Sequence, residues 1–370
     1  MKILFVAAEP HLAGHGGAVT YTGSIRRLFA TLEGAQVETL ALPLPWRRLP
    51  PALRRARAML AALLSGTPSK SRYFLDRRAR RVYRATLRRL RPDIVVINSA
   101  DLLPLIEDKD EAGAARYVLV SHNVETEIIR GQIAATALPA PLKRLLARDV
   151  AATQAAEAAG ARRMALIVCI SHDDACWYRE HAPGVPVIAV PGAFDGSPWQ
   201  GPRPALDGPL RLAMLANMDW WPNLEGAGWL VNVLLPRLEG VEVHLYGPGS
   251  ERYAGRHPML HAHGYVESLD TIWRDTHIMA CPIFSGSGVN VKLVEALFHR
   301  VPVLATPHAR RGLPPLDDPA LMVLDPQDWA AFLASPHARA LAETRVAEVT
   351  AQLFAARSHR AAIAAHLGLG

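Results

Sequence analysis

Apolar residues along this chain fall in short unbroken runs rather than in alternation. Residues 2–8 (KILFVAA), 37–44, 92–98, 116–121, 165–171 and 185–191 are each rich in Val, Ile, Leu or Ala. Continuous runs of this length suit strands covered on both faces, as in parallel sheets. Between them lie longer Ala-, Arg- and Leu-rich segments with helical spacing, such as 149–164. The β-α-β alternation predicts a doubly wound parallel sheet. Periodicity stops at 192–208 (GAFDGSPWQGPRPALDG), a Gly- and Pro-rich stretch that reads as an interdomain linker. The same grammar then restarts at 210–216, 241–247, 277–283, 301–306 and 321–325, and an Ala-rich helical region follows from Gln327. The expected class is therefore α/β, with two Rossmann-like domains, 1–191 and 209–345, facing a central cleft. A helical tail, 346–370, is able to pack back on the first. Ligands of such sheets bind beyond the carboxyl ends of the strands, so chemistry is expected just after strands.

Composition adds three points. Half of the 370 residues are hydrophobic and a fifth are charged, an ordinary globular balance. Cys169, Cys176 and Cys281 each sit in or beside an apolar stretch and read as buried structural thiols in a reducing compartment. The first residues reach Glu9 and Pro10 too soon for a signal peptide, and no apolar run approaches the length of a membrane span. The expected location is cytoplasmic. Charge is uneven: within the net +7, residues 46–91 hold fifteen Lys or Arg against one acid, Asp76. Density of one sign usually meets an anionic surface. A nucleic-acid partner is disfavoured, because the basic region is local and lacks a recognisable binding module.

The most informative stretch is 284–306, FSGSGVNVKLVEALFHRVPVLAT. A strand pattern leads into Ser285, Gly286, Ser287, Gly288 and Val289, and a helix is expected from near Val291. Small residues let backbone N–H groups approach a ligand, and the helix start adds partial positive charge, so the loop suits a phosphate or diphosphate. Lys292 adds a full charge. Glu295, one turn on, would repel a phosphate but can accept from ribose hydroxyls. The bland alternative is a glycine turn before a solvated helix. The order strand, glycine loop, Lys, Glu, apolar helix, strand favours a nucleotide-linked ligand.

That order resembles the C-terminal domain of GT-B glycosyltransferases of the retaining family 4 type (glycosyl transferases group 1). The likeness extends to GGAVTYTGSIRRL (16–28), VLVSHNVETE (118–127), LIVCISHDD (166–174), ANMDWWPNLEGAGWLV (216–231) and the segment from His263 to Thr306. It implies a nucleotide-sugar donor and no cofactor. It places Gly16 and Gly17 at the donor phosphates and sugar, and His122 near the transferred sugar. Asn217, Trp220, Pro222 and Asn223 would line the donor cleft. Gly264, Tyr265 and Val266 would flank the base, with Lys292 and Glu295 at the diphosphate and ribose. Of Trp220 and Trp221, one is expected to line the site and the other to pack at the interface. The family's usual glutamate eight positions before Glu295 is replaced by Ser287, and its Lys or Arg after the first strand of this domain is absent from LAMLANMDWWPN. Transfer with retained anomeric configuration and no metal is implied. Glu125 reads as a helix-start residue, as do Asp173 and Asp174. The D-x-D at Asp108–Asp110 reads as a solvated loop, and no His or Cys cluster has metal-ligand spacing.

The resemblance gives the first domain the acceptor, a saccharide or a lipid-pyrophosphate-linked saccharide of surface or exported glycan synthesis. The basic 47–91 region is expected to dock on the anionic inner face of the cell membrane. Two other functions share the features: a GT-B-fold sugar-nucleotide epimerase, and a catalytically silent sugar-nucleotide binder.

Overall fold

The computed structural model of the chain describes residues 1–13, 17–106, 113–135, 139–286 and 288–369. The chain divides into two compact units, Met1–Val190 with His359–Gly370, and Pro191–Ser358.

In the first unit, β1 (Lys2–Ala8), β2 (Gln36–Leu42), β3 (Ile94–Asn98), β4 (Arg116–Ser121), β5 (Leu166–Cys169) and β6 (Val187–Ala189) form one sheet in the order β2-β1-β3-β4-β5-β6. All five pairings are parallel. The inner strands β3 and β5 are buried throughout, and β1 and β4 almost so, which explains their unbroken apolar runs; β2, at the edge, is mostly half-exposed. The chain leaves β1 to one side to make β2 and returns on the other side as β3. The switch point of this sheet therefore lies between β1 and β3.

In the second unit, β7 (Leu210–Leu215), β8 (Val241–Tyr246), β9 (Leu260–Gly264), β10 (Ile278–Cys281), β11 (Val303–Ala305) and β12 (Leu321–Val323) are ordered β12-β11-β10-β7-β8-β9, again all parallel. Its switch point lies between β7 and β10. Leu212, Met214, Val243, Leu245, Ile278, Leu304 and Trp329 build its core.

Three sequence readings change. Strand β9 was not expected: its sequence LHAHG alternates because an edge strand has one half-wet face, so it makes no apolar run. Cys176 is exposed, on the helix His172–His181, whose Ala175 and Tyr178 face the core instead. The 192–208 stretch is docked on the second unit: Trp199 N donates to His299 Nδ1 (3.2 Å), Arg203 Nη2 donates to the His277 carbonyl (2.6 Å), and Phe194 stacks on Phe298. The last helix, Ala356–His366, starts in the second unit and ends in the first, where the Arg116 guanidinium donates to the Leu367 carbonyl. Among the described residues, no helix is long and apolar enough to cross a membrane.

Candidate functional site

Both switch points carry polar groups, built in opposite ways. In the second unit, β10 ends at Cys281 and the chain turns through Gly286 (φ 100°) and Gly288 (φ 74°). Both glycines are left-handed, a conformation other residues rarely adopt. The helix Val291–Phe298 follows, and the neutral Asn290 side chain caps it, accepting from Lys292 N (3.2 Å). Its Leu293, Val294 and Leu297 are core, which fixes the rotation of the helix. Lys292 Nζ lies 3.2 Å from Glu295 Oε2, and Glu295 is only 6% exposed. The geometry thus joins Lys292, Glu295, Gly286 and Gly288 in one corner; Ser287 lies outside the described residues. The Val289 side chain is buried, so that residue offers only its backbone.

The loop after β7 closes on this corner. A Cβ on Gly226 would sit 2.1 Å from the Pro282 carbonyl oxygen, so only glycine lets the helix Trp221–Trp229 lie this close. Glu225, on that helix, accepts from Ser285 Oγ at 2.7 Å. Asn217 Oδ1 accepts from Asp219 N (2.9 Å) and its carbonyl from Asn223 Nδ2 (2.8 Å), so these two asparagines shape the turn. Trp220 and Trp221 are 64% and 66% exposed. Gly264 (φ 70°) ends β9, tied through its N–H to Ser250 Oγ (2.9 Å); Tyr265 after it is 64% exposed and Val266 half-buried.

Positive charge reaches the corner from segments not singled out in the sequence. Arg252, beyond β8, pairs with Asp219 at 2.6 Å. Arg311, beyond β11, donates to the His308 carbonyl (2.8 Å), and the His308 ring lies 3.1 Å from the Gly286 carbonyl. Burial lowers the Arg311 pKa. These arginines come from other loops, so local motif spacing gave no sign of them. Glu225 was missed because it lies within an apolar segment.

The first unit's switch point is filled with side chains. His122, directly after β4, is 9% exposed. Its Nε2 lies 3.1 Å from Asn98 Oδ1 and 3.5 Å from Thr22 Oγ1, and Asn98 Nδ2 donates to Thr22 Oγ1 (3.1 Å). His11 stacks on His122, and Tyr21 meets it edge-on. Burial, with His11 and Lys70 nearby, pushes the His122 pKa down to about 3. Beside it Lys70 pairs with Asp101 (3.3 Å) and with Glu125. Burial opposes the Lys70 charge, yet the two carboxylates hold it above its usual range. Burial and Asp101 raise the Glu125 carboxyl above its usual range against the pull of Lys70. Glu125 begins the helix Glu125–Ala135, and the start of that helix is taken: Glu157 accepts from the N–H of Glu125 (3.1 Å) and Thr126 (3.2 Å), and from Tyr178 Oη (2.7 Å). Lys70 and Asp101 were missed, Lys70 because it lies in the basic stretch read as a surface.

Gly17 is the exposed first residue of the helix Gly17–Ala30; Gly16 and Asp108–Asp110 lie outside the described residues. Two cavities adjoin the cluster. One of about 590 Å³ is lined by His11, Thr22, Arg26, Arg27 and Thr39. The other, about 470 Å³ and mainly apolar, is lined by Met59, Lys70, Tyr73, Ile129 and Leu146 among others.

Comparison with known proteins agrees with this architecture. Residues 209–338 match the family model of glycosyl transferases group 1. No curated protein sequence matches the chain. The fold is that of GT-B glycosyltransferases. The structure of Anabaena HepE in complex with UDP and glucose is similar over 100% of this chain and 99% of its own (TM-score 0.62, 12% identity). Sucrose-phosphate synthase from Thermosynechococcus elongatus matches over 98% and 97% (0.64, 13%). The lipopolysaccharide outer core galactosyltransferase WaaB matches over 100% and 99% (0.58, 13%).

Proposed function

We propose that this chain, a glycosyltransferase of the GT-B type, moves a sugar from a nucleoside-diphosphate donor to a saccharide or lipid-linked saccharide. The observation that carries the reading is the contrast between two helix starts. The mouth of Glu125–Ala135 is filled by the chain's own carboxylate, Glu157, whereas among the described residues that of Val291–Phe298 holds a neutral asparagine cap, with Lys292 beside it. An incoming diphosphate finds free positive potential at the second. Glu295 accepts from the ribose hydroxyls. Gly264 and Tyr265 flank the base, and Glu225, accepting from Ser285, brings a carboxylate to the loop in a chain whose sequence has Ser287 in place of the expected glutamate.

Leaving-group stabilisation falls to backbone amides, Lys292 and the helix dipole, an electrostatic arrangement set before the donor arrives, with no metal required. Transfer proceeds on the front face with retention, and the leaving phosphate takes the acceptor proton. His122, held neutral by burial and tied through Nε2 to Asn98, orients the sugar rather than acting as base. HepE, whose structures hold UDP and UDP-glucose, makes uridine the first base to test.

The acceptor reading rests on the first unit. Its apolar cavity beside Lys70 suits a lipid-linked glycan, as does the stripe Leu53, Arg57, Leu60 and Leu64 on the helix Pro51–Ser65, whose three leucines are exposed. Such a stripe docks on an anionic membrane, each basic group adding about 1 kcal/mol. The setting is then surface glycan synthesis at the inner membrane face. Release of nucleoside diphosphate from a panel of UDP-, GDP- and ADP-sugars, with and without lipid acceptor, tests the reading. Acceptor-dependent release from one donor is expected. Release from none, or conversion of the sugar without transfer, overturns it. Flotation with anionic but not neutral vesicles is expected for the membrane contact; equal flotation with both refutes it.

A further inference from the structure

A second set of polar residues lies away from the switch point, on the outer strands of the second sheet. β8 and β9 are paired in parallel, with His244 opposite His261. Alternation sends Val243, Leu245 and Leu260 into the core and leaves Glu242, His244 and His261 together on the other face. A ligand atom of each of these three lies within 4.8 Å of the others. His244 Nε2 is 3.4 Å from Glu242 Oε2, and its Nδ1 is 3.0 Å from His263 Nε2. His263 in turn stacks on Tyr246, ring centres 4.2 Å apart. Among the described residues, the ion-pair partner of Glu242 is His244 rather than a Lys or Arg.

We propose that Glu242, His244 and His261 bind a divalent cation of the zinc class, with His263 as the positioning residue. Two imidazoles and one carboxylate suit Zn²⁺, with water in the fourth position. When His244 donates Nδ1–H to His263, its Nε2 lone pair faces Glu242 and His261. A partner on the far ring nitrogen is the usual way a protein fixes a metal-bound histidine. Glu242 is the second residue of β8 and His261 the second of β9, so the site lies toward the amino ends of the strands, away from the end where substrate chemistry is expected. The cation joins the edge strand β9 to β8 and takes no part in sugar transfer. The ligands were not legible as a motif, because Glu-x-His and His-x-His lie on different strands.

The test uses the full chain, stripped with chelator and titrated with Zn²⁺ and Co²⁺ separately. One saturable site is expected. Zn²⁺ at a hundredfold over Kd should raise Tm by about 3 to 4 °C. Co²⁺ should give the visible absorption of a tetrahedral centre. His261→Ala should remove that band, and Glu242→Gln should weaken binding at least tenfold. His263→Ala should keep the 1:1 ratio, weaken binding about tenfold and shift the band. Should His261→Ala not fold, His261→Gln on the same edge strand carries the same prediction. Absence of saturable binding overturns the proposal, as does an unchanged Kd in the His244→Ala/His261→Ala double variant.

Discussion

The two switch points occupy the same place in two similar sheets and are filled in contrary ways. In the first unit, side chains neutralise one another: Lys70 lies between Asp101 and Glu125, and Glu157 satisfies the helix start. In the second, glycines and backbone line the corner, and the cap is neutral. A site whose charges already cancel positions neutral hydroxyls and excludes ions. A helix start whose only cap is neutral attracts an anion through its dipole, even where its lysine is paired with Glu295. The same fold thus presents two differently charged sites according to which groups its loops supply.

The largest expected effect is in the first unit. Lys70→Met strands Asp101 and Glu125 as buried carboxylates, and denaturant unfolding should show a loss of about 3 to 5 kcal/mol. An unchanged midpoint would mean that the cluster is not self-compensated. Next is Gly226→Ala, whose new methyl meets the Pro282 carbonyl. About 3 kcal/mol is expected, read as a lower Tm together with lost nucleotide binding. Retained binding in this variant would detach the helix from the donor corner.

The pH response comes third. Burial keeps His122 neutral in the fold down to about pH 3, whereas an unfolded imidazole protonates near its ordinary 6.5. The unfolded state therefore binds the extra proton between those values. Stability present above pH 6.5 is lost as pH falls toward 3. Between pH 7 and 5 the wild type should lose about 2 kcal/mol more than His122→Gln, as measured by urea unfolding at each pH. Parallel losses would show an exposed His122. The smallest effects are at the donor corner. Lys292→Ala and Glu295→Ala should each weaken nucleotide binding about tenfold, or 1.4 kcal/mol, and Lys292→Ala, which leaves the buried Glu295 without its partner, should also lower Tm.

Much of this was legible in the sequence. Eleven of the twelve strands lay in apolar runs, because parallel strands are covered on both faces; β9 escaped because its histidines face a half-wet edge. The corner after β10 was readable where it is local, since Gly286, Gly288, Lys292 and Glu295 fall within one loop and helix. The contributions of Arg252 and Arg311 were not, because each arrives from a different loop, and Glu225 was hidden within the apolar helix Trp221–Trp229. Lys70 was hidden for another reason. In a stretch of arginines it looks like one more surface charge, and only packing reveals the two carboxylates around it.

The central claim is that the helix start at Val291 takes the donor's diphosphate. A crystal of the chain soaked with UDP, GDP or ADP in turn tests it most directly. The account predicts phosphate density against the Gly286–Gly288 backbone and Lys292, with ribose at Glu295. Density beside Lys70 in the first unit, with the Val291 mouth empty, would contradict it.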